Sequence, residues 1–329
     1  MNRAFGIFVA GLTILTGCHK QEHQDKSVFG SIKVINASQE SIDLAKKLFP
    51  DEDKKILSEE GWKDLYAAQV ARGENLDLGY IKSLGFQIDS AKVHNCKVYS
   101  FGEKNYDRII LYIHGGAYTF NAYSSHFSMC KDLATKDGRT KIVLPIYPLT
   151  PQHTWKDSYD LLDELYASLL KEGRPITIMG DSAGGGLACA FCEYLHKTGR
   201  ALPSKRVLLS PWLDVTFSDP QARQIDPRDR LLCLFGLRKL GLIWKGDLDA
   251  KDYRISPLYG DLDDRIPTLI VVGTNEVMLP DCTALFNKLV ANKCYTTLIY
   301  GIGLWHVFPT IGIPESLEVR QIIVDFIRK

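Results

Sequence analysis

Eight short apolar runs, set apart by turns or by longer helical patterns, constrain this chain more than any other feature. They are Phe86–Ile88, Cys96–Phe101, Ile109–Ile113, Ile142–Ile146, Ile176–Met179, Val207–Leu209, Thr268–Val272 and Thr297–Tyr300. Several are unbroken Ile, Val and Leu, the composition of parallel strands buried on both faces. Between them Trp155–Lys171, Ala183–Lys197, Cys282–Asn292 and Ser316–Arg328 carry apolar residues at helical spacing. Strand and helix in alternation imply an α/β fold. The expectation is a mostly parallel central sheet of about eight strands, with helices on both faces. The chain has 329 residues, of which 45% are hydrophobic and 24% charged, so one large domain can bury a full core.

Ahead of that pattern the text changes character. Arg3 supplies a positive start, Ala4–Gly17 is apolar or small and uncharged, and Leu15-Thr16-Gly17-Cys18 closes the run with small residues before a cysteine. Residues 1–17 therefore read as a signal peptide, too short to span a bilayer. The ending resembles a bacterial lipobox, which implies lipidation of Cys18 and a place in the cell envelope, at the periplasmic or outer-membrane face. An ordinary cleaved signal followed by an incidental cysteine is the simpler alternative. Residues 18–35 read as a polar tether, and 36–329 as the folded domain. Ser38–Leu48 and Ser58–Arg72 read as amphipathic helices with serine caps. With the rest of 36–80 they form an expected helical cap, joined by a partly helical insertion over 211–257 that is too long for a simple connection.

Lys and Arg number 40 against 39 Asp and Glu, a balance that argues against nucleic acid as a partner. Seven cysteines follow Cys18, an odd number that cannot all pair within the chain. Cys189 and Cys192 form a lone C-x-x-C on a helical stretch, where two small core residues are a better reading than a redox or zinc site.

Two motifs carry chemistry. Gly180-Asp181-Ser182-Ala183-Gly184 fits G-x-S-x-G between the expected strand Ile176–Met179 and the helix that opens near Ala183. A strand-to-helix turn of this kind presents the serine hydroxyl to a cleft as a nucleophile, with the Ala183 amide beside it. His114-Gly115-Gly116-Ala117-Tyr118 follows the strand Ile109–Ile113 and matches an HGGG-type oxyanion loop, with Ala117 in place of the third glycine. Gly115, Gly116 and Ala183 are the expected oxyanion donors.

With HGGAY (114–118), YPLTP (147–151), GDSAGG (180–185), SPWLD (210–214), SPL (256–258), VGTNE (272–276) and LWHVFP (304–309) in order, the chain resembles the bacterial hormone-sensitive-lipase family of α/β-hydrolases. The likeness covers roughly residues 60–329. It implies a serine esterase that takes short to medium acyl esters or lactones and uses no metal or cofactor. His306 falls where that family places its base, and Glu276 where it places its acid. Asp281, five residues on, is the rival acid. Two other activities stay open: a deacetylase or amidase acting on a sugar or antibiotic, and a catalytically silent envelope binding protein. His126, His153, Asp214 and the Asp226–Arg230 cluster read as structural. Tyr118, Phe235, Trp244 and Trp305 read as core or as the lining of an acyl pocket.

Overall fold

The computed structural model describes residues 28–50, 62–72, 79, 83, 85, 88–102 and 104–329. The expected signal peptide, Cys18 and most of the expected tether lie outside the described residues, as does much of the expected cap.

The strands are β1 (Gly30–Asn36), β2 (Ile88–Val93), β3 (Cys96–Gly102), β4 (Arg108–Ile113), β5 (Thr140–Pro145), β6 (Ile176–Asp181), β7 (Lys205–Leu209), β8 (Thr268–Gly273) and β9 (Thr296–Ile302). They form one sheet in the order β1-β9-β8-β7-β6-β4-β5-β3-β2. All neighbours run parallel except β2 with β3 and β3 with β5. The α/β expectation holds, with one strand more than the eight apolar runs suggest.

That strand, β1, corrects the tether reading, which extends to Ile35. Lys33 and Asn36 make the segment look polar, but it lies along β9 in register from Gly30 opposite Thr296 to Asn36 opposite Ile302. Half-exposed edge strands carry mixed text, and the partner that makes this one a strand lies more than 250 residues away. The start of the expected run at Phe86 lies outside the described residues, and at the other edge β2 is described from Ile88. It returns into β3 through His94 and Asn95, both at positive φ, a two-residue turn whose twist suits a hairpin.

The helices are α1 (Gln39–Leu48), α2 (Trp62–Arg72), α3 (Ser124–Asp137), α4 (Trp155–Leu170), α5 (Ser182–Lys197), α6 (Pro220–Ile225), α7 (Leu234–Trp244), α8 (Leu279–Ala291) and α9 (Pro314–Arg328). Alternation along β4 shows why both sheet faces need cover. Ile109, Leu111 and Ile113 join the core built with α4, α5 and α8, whereas Ile110 and Tyr112 join the core built with α3 and α9. The segment between β7 and β8 contributes to the first of these cores. Its Trp212, Phe217, Leu237, Leu240 and Trp244 are buried in the same core as α4 and α5. α1 is tied to α9, since Ser38 N–H and Ser41 Oγ–H both donate to Glu315. The chain just after α1 meets the carboxyl-end loops: Phe49 packs on Trp305 at 6.0 Å, and its carbonyl accepts from Arg230 at 3.4 Å.

Candidate active site

β6 ends at Asp181 and α5 starts at Ser182, so the serine occupies the turn itself, with φ +52°. A non-glycine residue in the left-handed region is strained and persists only where its surroundings hold it. Here Gly184 allows the close approach, because a Cβ at that position would collide with the carbonyl oxygens of Ile113 and His114. The elbow is thereby pressed against the end of β4 and the HGGAY loop.

The serine Oγ–H points to His306 Nε2 at 2.9 Å, and His306 Nδ1–H points to Glu276 Oε2 at 2.6 Å. Ser182, His306 and Glu276 are all buried and come from the ends of three parallel strands, β6, β9 and β8. The second carboxylate oxygen, Glu276 Oε1, accepts from Ser210 Oγ–H at 2.7 Å and from Gly273 N–H at 2.5 Å. Ser210 Oγ in turn accepts Val307 N–H at 3.0 Å. One hydroxyl thus ties the acid to the loop that carries the histidine. Burial pulls the His306 imidazole down, but the charge and hydrogen bond of Glu276, then the charges of Asp229 and Asp181, outweigh it and hold the ring above its ordinary value.

Asp281, the rival acid, makes no contact with His306. It lies buried in the first turn of α8, where its Oδ2 has no hydrogen-bond partner. Burial first, and then the charges of Asp214 and Asp219, push its carboxyl up to about 8. A carboxyl in that setting is neutral at pH 7 and cannot orient an imidazolium.

The oxyanion loop differs from expectation in one donor. Gly115 N–H is already engaged, donating to Asp181 Oδ1 at 2.9 Å, and a Cβ on Gly115 would run into the other oxygen of that carboxylate. Gly115 is therefore a point of close approach and not a donor. The Gly116, Ala117 and Ala183 amides meet no protein acceptor among the described residues. Buried backbone N–H groups are rarely left without partners, so these three amides form a ready site for an oxygen anion. Ala117 replaces Gly115 in the expected set, and its own φ is +50°.

Asp181 organises this side of the site. It also accepts Tyr112 O–H at 2.5 Å and lies 3.2 Å from His126 Nε2, whose Nδ1 accepts Tyr123 N–H at 2.8 Å. Burial pushes the Asp181 carboxyl up, but His126, the Tyr112 hydroxyl and the Gly115 amide outweigh it and hold it below the usual range. His126, read as structural, has that role here as a support for the elbow, and it sits in α3. His114 is held neutral, its imidazole lowered to about 3 mainly by burial, and stacks on Tyr147 at 4.4 Å. Tyr118 lies flat on Trp244 at 4.1 Å, with Trp212 on its other neighbour position at 5.5 Å. All three are buried, so they serve as core beneath the oxyanion loop.

The comparisons with known proteins agree with this geometry. The model of the α/β-hydrolase fold family matches residues 110–310, from β4 to the turn after His306. The chain belongs to the α/β-hydrolase fold family. An esterase of Acinetobacter venetianus is 31% identical over 67% of this chain and 74% of its own length. An acetyl-hydrolase of Streptomyces hygroscopicus is 30% identical over 67% of this chain and 75% of its own. Among solved structures, a hormone-sensitive lipase from a metagenome library superposes with TM-score 0.70 at 26% identity, covering 81% of this chain and 97% of that one. This α/β-hydrolase is a hydrolase in activity as well as in fold, and among solved structures it is similar to a hormone-sensitive lipase.

Proposed function

We propose that the protein is a serine carboxylesterase working through an acyl-enzyme. The observation that carries the reading is the unbroken hydrogen-bonded line from Ser182 Oγ through His306 to Glu276, beside three amides that meet no protein acceptor among the described residues. Ser182 Oγ attacks the ester carbonyl while His306 Nε2 takes its proton. The carbonyl oxygen becomes an anion and accepts from Gly116, Ala117 and Ala183. The tetrahedral intermediate collapses, the C–O bond to the alcohol breaks, and His306 returns the proton to the departing alkoxide. Water then repeats the sequence on the acyl-serine and releases the acid. Short to medium acyl groups are the proposed substrates.

The acetyl-hydrolase among the relatives favours a second reading, removal of acetyl groups from a larger alcohol such as a sugar or antibiotic. A panel of p-nitrophenyl esters from acetyl to octanoyl, run beside acetylated sugars, separates the two. Turnover should peak at or below hexanoyl, and a fluorophosphonate probe should label Ser182. A protein that neither takes the label nor turns over any ester sinks both readings.

We further propose that Cys18 is acylated and holds the enzyme at the envelope. The charge-free run ending in Leu15-Thr16-Gly17-Cys18 supports this. Two or more acyl chains anchor a protein stably, and salt does not dislodge them. The full-length protein should partition with membranes and stay there in high salt. Cys18→Ala should change that attachment while leaving turnover of a soluble ester within about twofold. Wild-type protein recovered from soluble extract without a mass increment on Cys18 rules out the anchor and leaves the esterase reading untouched.

A further inference from the structure

The line of acid, base and nucleophile does not use every buried charge around it. Asp229 lies in the long segment between β7 and β8, after the short turn over 226–228, and only 1% of its surface is exposed. Its Oδ1 accepts Leu231 N–H at 3.0 Å and Leu232 N–H at 2.8 Å. Its Oδ2 reaches out of its own segment and accepts Val277 N–H at 2.9 Å. Val277 follows the acid Glu276 directly. Arg228 and Arg230 flank Asp229 in the chain, and the Arg230 guanidinium donates to the Phe49 carbonyl at 3.4 Å. The ionisable group that favours its charged form is His306.

Backbone amides alone do not call for a carboxylate here, since a neutral asparagine oxygen would serve Leu231 and Leu232 equally well. What a carboxylate adds is a second acceptor for Val277 and a negative charge near the imidazole. His306 is hydrogen-bonded to Glu276 from the β8–α8 loop and to Ser182 from the elbow, and the charges of Asp229 from the β7–β8 segment and of Asp181 also favour its protonated ring. Burial is the largest influence on Asp229 and pushes its carboxyl up to about 6, while the three amides and His306 pull the other way. At pH 7 and above it is charged, at a desolvation cost that a purely structural contact would not require.

We propose that Asp229 is a second carboxylate of this site, a positioning residue that fixes the Glu276 loop through Val277 and stabilises the His306 cation formed during catalysis. It touches neither substrate nor serine, and its effect passes through Glu276 and His306. The inference rests on the catalytic assignment of Ser182, His306 and Glu276.

The two carboxylates make distinct contributions to the pH profile. The base must be neutral in the free enzyme, so kcat/KM falls as pH drops through the His306 value. With that value held above 6.5 by Glu276, Asp229 and Asp181, the acid limb of the wild-type profile should lie above 6.5. Removing the Asp229 charge takes away one of the groups that favour the protonated ring. The limb should then move to lower pH.

The test is Asp229→Asn in the full chain, with Asp229→Ser as a second variant in case the amide misfolds. Expected are a kcat lower by about tenfold, a KM within about twofold, and an acid limb displaced downward by about half a unit or more. NMR titration of the His306 ring in the Ser182→Ala background, with and without Asp229→Asn, should show the same downward displacement. Equal His306 titration in both backgrounds, with an unmoved acid limb, overturns the inference and leaves Asp229 as a staple between loops. Normal turnover by Ser182→Ala itself would instead overturn the catalytic set, so the two failures are told apart by the same set of proteins.

Discussion

Ser182→Ala should lower kcat by at least about 10⁴-fold while the protein folds as before. Nucleophile deletions in serine hydrolases remove effects of this size because base and acid act only through the serine oxygen. The side chain makes one hydrogen bond, to His306 Nε2, so its loss costs the fold little. The backbone supplies a control. Ser182 sits at φ +52°, a conformation that costs a non-glycine residue on the order of 1–3 kcal/mol. Ser182→Gly should therefore be equally inactive but at least as stable as Ser182→Ala, because glycine adopts that region freely. Steady-state kinetics and thermal unfolding of the two variants check both statements. Turnover by either variant within tenfold of wild type would show that another group attacks the ester.

The second large effect is expected at the acid, and the structure says why a conservative change is severe there. Glu276 Oε1 accepts from Ser210 and from Gly273 N–H, so in Glu276→Gln the amide oxygen must stay on that side. The amide nitrogen then faces His306 Nδ1, donor against donor. The ring responds by moving its proton to Nε2, the atom that has to accept from Ser182. An imidazole locked in the wrong tautomer costs on the order of 10³–10⁴ in kcat. Asp281→Asn makes the opposite case. Its carboxyl is pushed up to about 8, so the neutral amide replaces a group that is itself neutral at pH 7. Activity at pH 7 should stay within about threefold. The sign for stability follows from the same value: a carboxyl that stays protonated in the fold but ionises in the unfolded chain costs stability progressively as pH rises from about 4 to about 8. The asparagine variant should thus gain on the wild type across that window and keep the gain above it. Comparing kcat/KM for the two variants decides the matter, and a crippled Asp281→Asn beside an active Glu276→Gln would move the acid five residues downstream.

The parts of this site that could be read from sequence are those written in consecutive residues. Ser182 lies in a five-residue motif between a β run and a helical run, and His306 and Glu276 sit at set distances past apolar strands. The supports are written across the chain and carry no local signature. Ser210 bonds to an acid 66 positions on, and Asp229 to the amide of Val277 48 positions on. Gly115 was expected as a donor because paired glycines expose their amides. That the first amide is taken by Asp181 depends on how β4 and β6 end side by side, which no spacing within either motif encodes. β1 escapes a local reading for a related reason: parallel pairing joins segments distant in sequence, and Lys33 and Asn36 on an exposed edge look like linker.

The direction of β1 has a consequence for how the enzyme is presented. The strand runs parallel to β9, entering opposite Thr296 and leaving opposite Ile302, and His306 follows on the loop just past that far end. Gly30 therefore lies at the end of the sheet opposite that loop, about 20 Å of strand away. An anchor at residue 18, as proposed, would reach the domain from that opposite end and leave the loop that carries His306 on the far side from the attachment point. Esters dissolved or displayed beyond the membrane then arrive head-on, whereas an ester embedded in that same layer has to be carried around the body of the protein to be reached.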